Sequence, residues 1–256
     1  MKIIGIVPAR MAASRFPGKP LFNIIDRPML SHVCQRAQLY DKWDYLSIAT
    51  CDQIIIDFAQ QNNFNVISTS DKHTRALDRI AEAVTKISDF EIDENDIIIN
   101  VQGDEPMLHP EMFDALVKPI LENEHINATI LAMDIIDEKI WRNPDTVKII
   151  HNSFGEVLYT SRAAIPYNGN NFSPNLGAKR IYGLFAFKWK YLKQFSNHPE
   201  TYLEKMESCD SNRILDMDFA QYIAPFPYVN SFSVDNLNDI HLVENSIIND
   251  KYWGKY

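Results

Sequence analysis

Short β-branched runs alternate with helix-periodic stretches through the first half of the sequence, and no other feature constrains the fold as strongly. Residues 2–7, 45–50, 65–68 and 96–101 read as short strands, the first and last as buried ones. Residues 28–39, 54–62, 76–87 and 110–123 read as helices; in the third, Ile80, Ala83, Val84 and Ile87 share one face. The alternation implies an α/β fold: a mostly parallel, Rossmann-like sheet with helices on both faces. Ligands in such sheets bind beyond the carboxyl ends of the strands. Two loops are therefore the first places to look for a site: the one after the first strand, and the one after the strand at 96–101.

The second half is more mixed. Residues 129–136, 147–151, 157–160 and 181–187 read as strands, 167–174 as a polar loop, 198–219 as one helix and 231–234 as a last short strand. There is no internal repeat or clean linker. The simplest organisation is one domain over residues 1–256, with a core of about 1–125 and 220–256 and a smaller lobe of about 126–219.

The formal net charge is −9, which argues against a nucleic-acid partner, because long nucleic acid needs a basic surface. An anionic small molecule must instead be held by a local cluster of Lys and Arg. The three cysteines, Cys34, Cys51 and Cys209, form no CxxC pair, so neither a disulfide framework nor a zinc site is signalled. No stretch approaches the roughly 20 apolar residues of a membrane span. The apolar start at 2–7 is too short for a signal peptide. The expectation is a cytoplasmic protein with no membrane partner.

The first loop reads PARMAASRFPGKP over residues 8–20. Arg10, Arg15 and Lys19 are placed to converge on a triphosphate, with Arg forks matching phosphate oxygens and Lys acting as a point charge. Small residues and Gly18 let backbone N–H groups approach a ligand. A solvated loop with scattered charge is the competing reading, and the segment is no Walker P-loop. The second loop, NVQGDEP at 100–106, puts Asp104 just past a buried strand, where a carboxylate can hold Mg²⁺. An acidic turn capping the strand is the alternative. A third segment, SVDNLND at 233–239, carries Asp235 at a strand end and Asp239 at the start of a last helix; taken singly, either is equally an N-cap or turn residue.

In this order, the three segments resemble the 3-deoxy-manno-octulosonate (Kdo) cytidylyltransferases, or CMP-Kdo synthetases, over nearly the whole chain. Thr50 with Asp52, DRIAE at 78–82, YTSRAAIP at 159–166, and Leu203-Glu204 with Arg213 match further. The resemblance implies a nucleotidyltransferase fold with a dimerisation and acceptor lobe, and a homodimer. It implies transfer of CMP from CTP to an acidic sugar-like acceptor, with Mg²⁺, for surface polysaccharide synthesis. Pro8, Ala9, Arg10, Ser14, Arg15, Lys19 and Gln102 would meet the nucleotide, and Asp104 and Asp235 the metal. Arg10, Lys19, Asp104 and Asp235 would carry the chemistry. Gln102, Arg79 and Arg162 would lie near the acceptor. The choice of cytidine rests on the resemblance alone.

The departures from the family pattern fall on the acceptor side. The family's HxSGT is His73-Thr74-Arg75-Ala76-Leu77 here; a Lys-His pair is Arg180-Ile181, beside Tyr182; LEQLR is Cys209-Asp210-Ser211-Asn212-Arg213. Arg75, Tyr182 and Asp210 thus join the acceptor-binding candidates. Two readings follow: tolerated drift around Kdo, or a different acceptor, either a relative of Kdo or another small acid or phospho-acid, a more anionic one matching the charge that Arg75 and Arg180 add. A glycosyltransferase is disfavoured because Gln102-Gly103-Asp104 stands where a DxD motif would. A non-catalytic nucleotide-binding homologue is disfavoured because Lys19, Asp104 and Asp235 are all present. His32 falls on the polar side of its helix and receives no role. His73 stands at a family position. The acidic run at 91–96 reads as a solvated turn, and the four tryptophans as packing residues.

Overall fold

The computed structural model describes residues 1–12, 16–169 and 171–256. The chain divides into two compact units, Met1–Phe113 with Asn230–Tyr256, and Asp114–Val229.

The first unit opens with β1 (Ile3–Pro8), a short hairpin of β2 (Asn23–Ile24) and β3 (Arg27–Pro28), and α1 (Met29–Gln38). It continues through β4 (Tyr45–Thr50), α2 (Gln53–Gln61), β5 (Val66–Ser68), α3 (Ala76–Thr85) and β6 (Ile97–Asn100), and contains the start of α4 (Glu111–Glu122). All the expected elements of this half are present, displaced by at most two residues at an end. β1 pairs in parallel with β4 on one side and with β6 on the other, and β4 pairs in parallel with β5. The chain therefore winds outward from β1 through β4 to β5, then returns to the opposite side of β1 as β6. Loops leaving the carboxyl ends of β1 and β6 diverge at that reversal and open a crevice.

The first unit also corrects two expectations. The acidic run is not fully solvated: Asp96 is buried and accepts the backbone N–H groups of Lys2, at 2.6 Å, and Asp93, at 2.9 Å, which pins the start of β1. Nor does His32 face water. It is fully buried, with Nε2 3.0 Å from the Ile24 carbonyl and Nδ1 3.0 Å from Tyr256 Oη. Burial pushes its pKa down to about 4. A polar partner far along the chain makes this burial affordable, and helical periodicity does not reveal such a partner.

The second unit holds β7 (Ala128–Asp134), α5 (Glu138–Arg142), β8 (Lys148–His151), β9 (Val157–Ser161), β10 (Lys179–Lys188), α6 (Trp189–Asn197), α7 (Tyr202–Glu207), α8 (Ser211–Asp216) and β11 (Tyr222–Phe226). β7 lies between antiparallel β10 and parallel β11, and β8 pairs antiparallel with both β10 and β9. The expected single helix over 198–219 is broken. Thr201 and Glu204 form a capping box that starts α7, and Ser208 adopts a left-handed conformation (φ 51°) that stops it before α8. No strand forms at 231–234; the last strand is β11. Pro225 masks β11 in the sequence, because a proline cannot donate to a ladder and argues against a central strand. The last helix, α9 (Leu237–Ile247), belongs to the first unit. Among the described residues, no helix is long and apolar enough to cross a membrane.

Candidate active site

The loop after β1 is held at several points. The Ala9 N–H extends the β4 ladder by donating to the Ala49 carbonyl at 2.9 Å. Arg10 follows, and the Met11 N–H donates to Asp52 Oδ2 at 2.7 Å. The Gly18 N–H closes the loop on the Met11 carbonyl at 2.9 Å. Gly18 has φ +78°, a conformation a glycine adopts without a Cβ penalty, and it launches the short 3-10 turn Lys19–Leu21. Phe16 packs edge-on against Phe22 and seats the loop on a core of Ile24, Met29, Met107 and Val234. Ser14 and Arg15 lie outside the described residues.

The loop after β6 crosses close beside β1. The Val101 N–H donates to the Ile6 carbonyl at 2.9 Å. A Cβ on Gly103 would sit 2.4 Å from the Pro8 carbonyl oxygen, so only glycine permits this approach. The Asp104 carbonyl then accepts the Val234 N–H at 2.9 Å. That bond brings the segment before α9 alongside and sets Asp235 next to the metal-candidate loop. Asp235 itself is fixed by α9: its N–H donates to Asp239 Oδ2 at 2.8 Å, while Asn236 and Asp239 form the capping box of the helix. Lys19 Nζ joins the two loops by donating to Asp104 Oδ2 at 2.8 Å and to the Val234 carbonyl.

The third wall is the segment entering α3. Arg75 occupies the N-cap position of that helix. Arg79 is buried, and its guanidinium donates to Thr69 Oγ1 at 2.6 Å, to the Ser70 carbonyl at 3.2 Å and to the His73 carbonyl at 3.3 Å. Arg79 therefore shapes the 69–73 turn. Glu82 supports the same turn by accepting the Ser70 N–H, the His73 ring and, at 2.6 Å, Lys86 Nζ. Burial alone would raise the Glu82 pKa, but the bonds from Lys86, Ser70 and His73 outweigh it and bring the carboxyl down to about 2.

These walls enclose a cavity of about 240 Å³. Of the sequence candidates, Pro8, Ala9, Arg10, Lys19, Arg75, Arg79, Gln102, Asp104 and Asp235 line it, as do His73 and Gly103. Four guanidinium or ammonium side chains thus gather around two carboxylates in a protein of net charge −9. This is the local cationic cluster that an anionic ligand requires. Arg162, Tyr182 and Asp210 belong to the second unit. Arg162 donates through Nε to the Glu207 carbonyl at 2.8 Å and through Nη1 to the Pro144 carbonyl at 2.9 Å. Tyr182 is fully buried beneath the Arg180 guanidinium. Asp210 occupies the N-cap position of α8, with no side-chain cap bond. Reading the sequence gave no role to Asp52 or Glu82, which shape the loops without lining the cavity; their signal was their place in the Thr50-x-Asp52 and DRIAE matches.

The sequence model of the cytidylyltransferase family matches residues 4–221. The chain belongs to the cytidylyltransferase family. Among its relatives, the 3-deoxy-manno-octulosonate cytidylyltransferase of Oleidesulfovibrio alaskensis (strain G20) is 36% identical over 245 residues, 95% of each chain. The enzyme of the same name from Nitratidesulfovibrio vulgaris (strain DP4) is 35% identical over 243 residues, 94% of each chain. A solved structure of CMP:2-keto-3-deoxy-manno-octonic acid synthetase complexed with CTP superposes with a TM-score of 0.87 at 28% identity, covering 97% of this chain and 99% of that one. The α/β nucleotidyltransferase fold is thus common to both, and this cytidylyltransferase is a CTP-dependent nucleotidyltransferase.

Proposed function

We propose that this cytidylyltransferase transfers CMP from CTP to 3-deoxy-manno-octulosonate and releases pyrophosphate, as a magnesium-dependent homodimer in the cytoplasm that supplies surface polysaccharide synthesis. The observation that carries the proposal is the crossing of the two loops. Lys19 bridges from the phosphate-loop candidate to Asp104, and Asp235 and Arg10 line the same cavity. The relatives that bear the acceptor's name cover the chain almost from end to end.

The donor set suits a magnesium ion. Asp104 and Asp235 offer hard oxygens, and Mg²⁺ is commonly held by one or two carboxylates together with substrate phosphates and water. The Lys19 ammonium is itself a cation resting on Asp104 and a backbone carbonyl, so these oxygens already hold positive charge. Asp104 and Asp235 would hold the ion, which when bound supplies charge neutralisation to the phosphates.

The remaining work falls to the chain itself. Arg10 and Lys19 grip the triphosphate and offset its charge. Gln102 presents an amide to the bound substrates. Arg75 faces the cavity at the entry to α3 and attracts the acceptor carboxylate. An acceptor hydroxyl oxygen attacks the α-phosphorus, its proton passes to solvent, and the bond to the pyrophosphate oxygen breaks. The protein contributes positioning and electrostatic stabilisation and forms no covalent intermediate.

The test is pyrophosphate release with CTP, Mg²⁺ and a panel of acidic acceptors. Turnover with 3-deoxy-manno-octulosonate is expected, with Asp104→Asn lowering kcat about 10²–10³-fold. Turnover only with a more anionic acid would reassign the acceptor and make Arg75 the reason. CTP binding without release from any acceptor would sink the enzymatic reading.

A further inference from the structure

Lys19 stands where the carboxylate pair meets the cavity that would take the phosphates. Its Nζ donates to Asp104 Oδ2 at 2.8 Å and to the Val234 carbonyl, and its side chain is only 13% exposed. Both acceptors lie on the segment pair that carries the carboxylates, because the Val234 N–H in turn donates to the Asp104 carbonyl at 2.9 Å and Asp235 is the next residue. The ammonium therefore sits on the carboxylate face where a metal ion would bind. Two cations on one carboxylate repel each other. A triphosphate in the same cavity competes for the ammonium as well. Arg10 is not caught in this way: among the described residues its guanidinium reaches only the His73 carbonyl, at 3.5 Å.

We propose that Lys19 is a displaceable counter-ion of Asp104. Nucleotide draws the ammonium onto its phosphates, and the carboxylate is thereby released for the metal. Nucleotide and metal then tighten each other's binding, by equal factors as linkage requires. This rests on the reading of Asp104 as a metal ligand. Its consequence is an order of loading: the nucleotide-free enzyme holds a divalent cation weakly, and the metal enters with or after CTP.

The experiment is a titration of Mn²⁺, followed by its electron paramagnetic resonance signal, into nucleotide-free wild type, Lys19→Met and Lys19→Gln. Lys19→Gln, one bond shorter, keeps a polar donor on the side chain while removing the charge, so it reads the electrostatic effect if Lys19→Met folds poorly. Both variants are expected to bind Mn²⁺ about tenfold more tightly than wild type, and to show a smaller gain in Mn²⁺ affinity on adding CTP. Unchanged or weaker Mn²⁺ binding by Lys19→Gln overturns the proposal. Asp104→Asn with CTP present separates the counter-ion role of Lys19 from the metal-ligand role of Asp104. Loss of Mn²⁺ binding there, with no gain in Lys19→Gln, removes the counter-ion role alone. Undiminished Mn²⁺ binding there removes the metal reading and the counter-ion role together.

Discussion

Lys19 in the first unit and Lys148 in the second are both largely withdrawn from solvent, yet their ammonium groups have different surroundings. Lys148 is fully buried and donates to three backbone carbonyls, those of Asn143 at 2.8 Å, Arg162 at 2.7 Å, and Thr146. Its three protons are all used within the protein. Burial, helped by the Arg162 charge, brings its pKa down to about 8. Lys19 meets one carboxylate and one carbonyl at the wall of an open cavity. The arginines follow the same division. Arg213 is buried and doubly bonded to Glu204, at 2.7 Å for each pair, which ties α7 to α8. Arg10 has a single long bond among the described residues. Lys148 and Arg213, bonded within the chain, hold the second unit together, whereas Lys19 and Arg10 at the cavity retain capacity for a ligand; Arg79, which lines the same cavity but is bonded to Thr69, Ser70 and His73, sides with the former. Charge at a family position does not by itself distinguish the two roles; the identity of the acceptors does.

The sharpest way to break this contrast is Arg213→Met. Leaving the Glu204 carboxylate buried without its counter-charge is expected to cost about 3–5 kcal/mol of stability, read by urea unfolding. A loss below about 1 kcal/mol would mean that the pair is a bystander and that the two sets of cations are not distinct. Asp52→Ala comes next. It removes the acceptor of the Met11 N–H and should loosen the phosphate loop. kcat/KM is expected to fall about tenfold, corresponding to roughly 1.4 kcal/mol, with little change in melting temperature. A fall in melting temperature with unchanged kcat/KM would make Asp52 structural instead. The smallest effect concerns Glu82. Its folded-state pKa of about 2 lies below the ordinary value of 4.5, so its stabilising contribution is fully present above about pH 4.5 and is lost as the pH falls toward 2. Melting curves of wild type and Glu82→Gln are expected to differ at pH 6 and to converge toward pH 2. A constant gap between them would show that the bonds from Ser70, His73 and Lys86 do not depend on the carboxylate charge.

The first unit was legible because its strands and helices are short, periodic and sequential, and because each candidate loop directly follows a buried strand. Arg10, Lys19, Asp104 and Asp235 were legible as residue types, and the cavity brings them together. What joins them was not legible. The bond from Val234 to Asp104 and the reach of Lys19 to both depend on approaches between residues far apart in sequence, which local pattern does not encode. Arg79 and Arg162 show the same difficulty from the other side, since a cation in a motif gives no sign that its donors are already satisfied by nearby carbonyls. In the second unit, the left-handed Ser208 broke the helical periodicity read over 198–219, and Pro225 hid strand β11.

The contact between Gly103 and the Pro8 carbonyl sets a boundary for anyone wishing to retrain this enzyme on new substrates. Even a methyl group at 103 would push the carboxylate loop away from the phosphate loop, so that position belongs to the fixed chassis. Thr74, Arg75 and Ala76 line the facing wall of the same cavity and form the natural place for a library of variants.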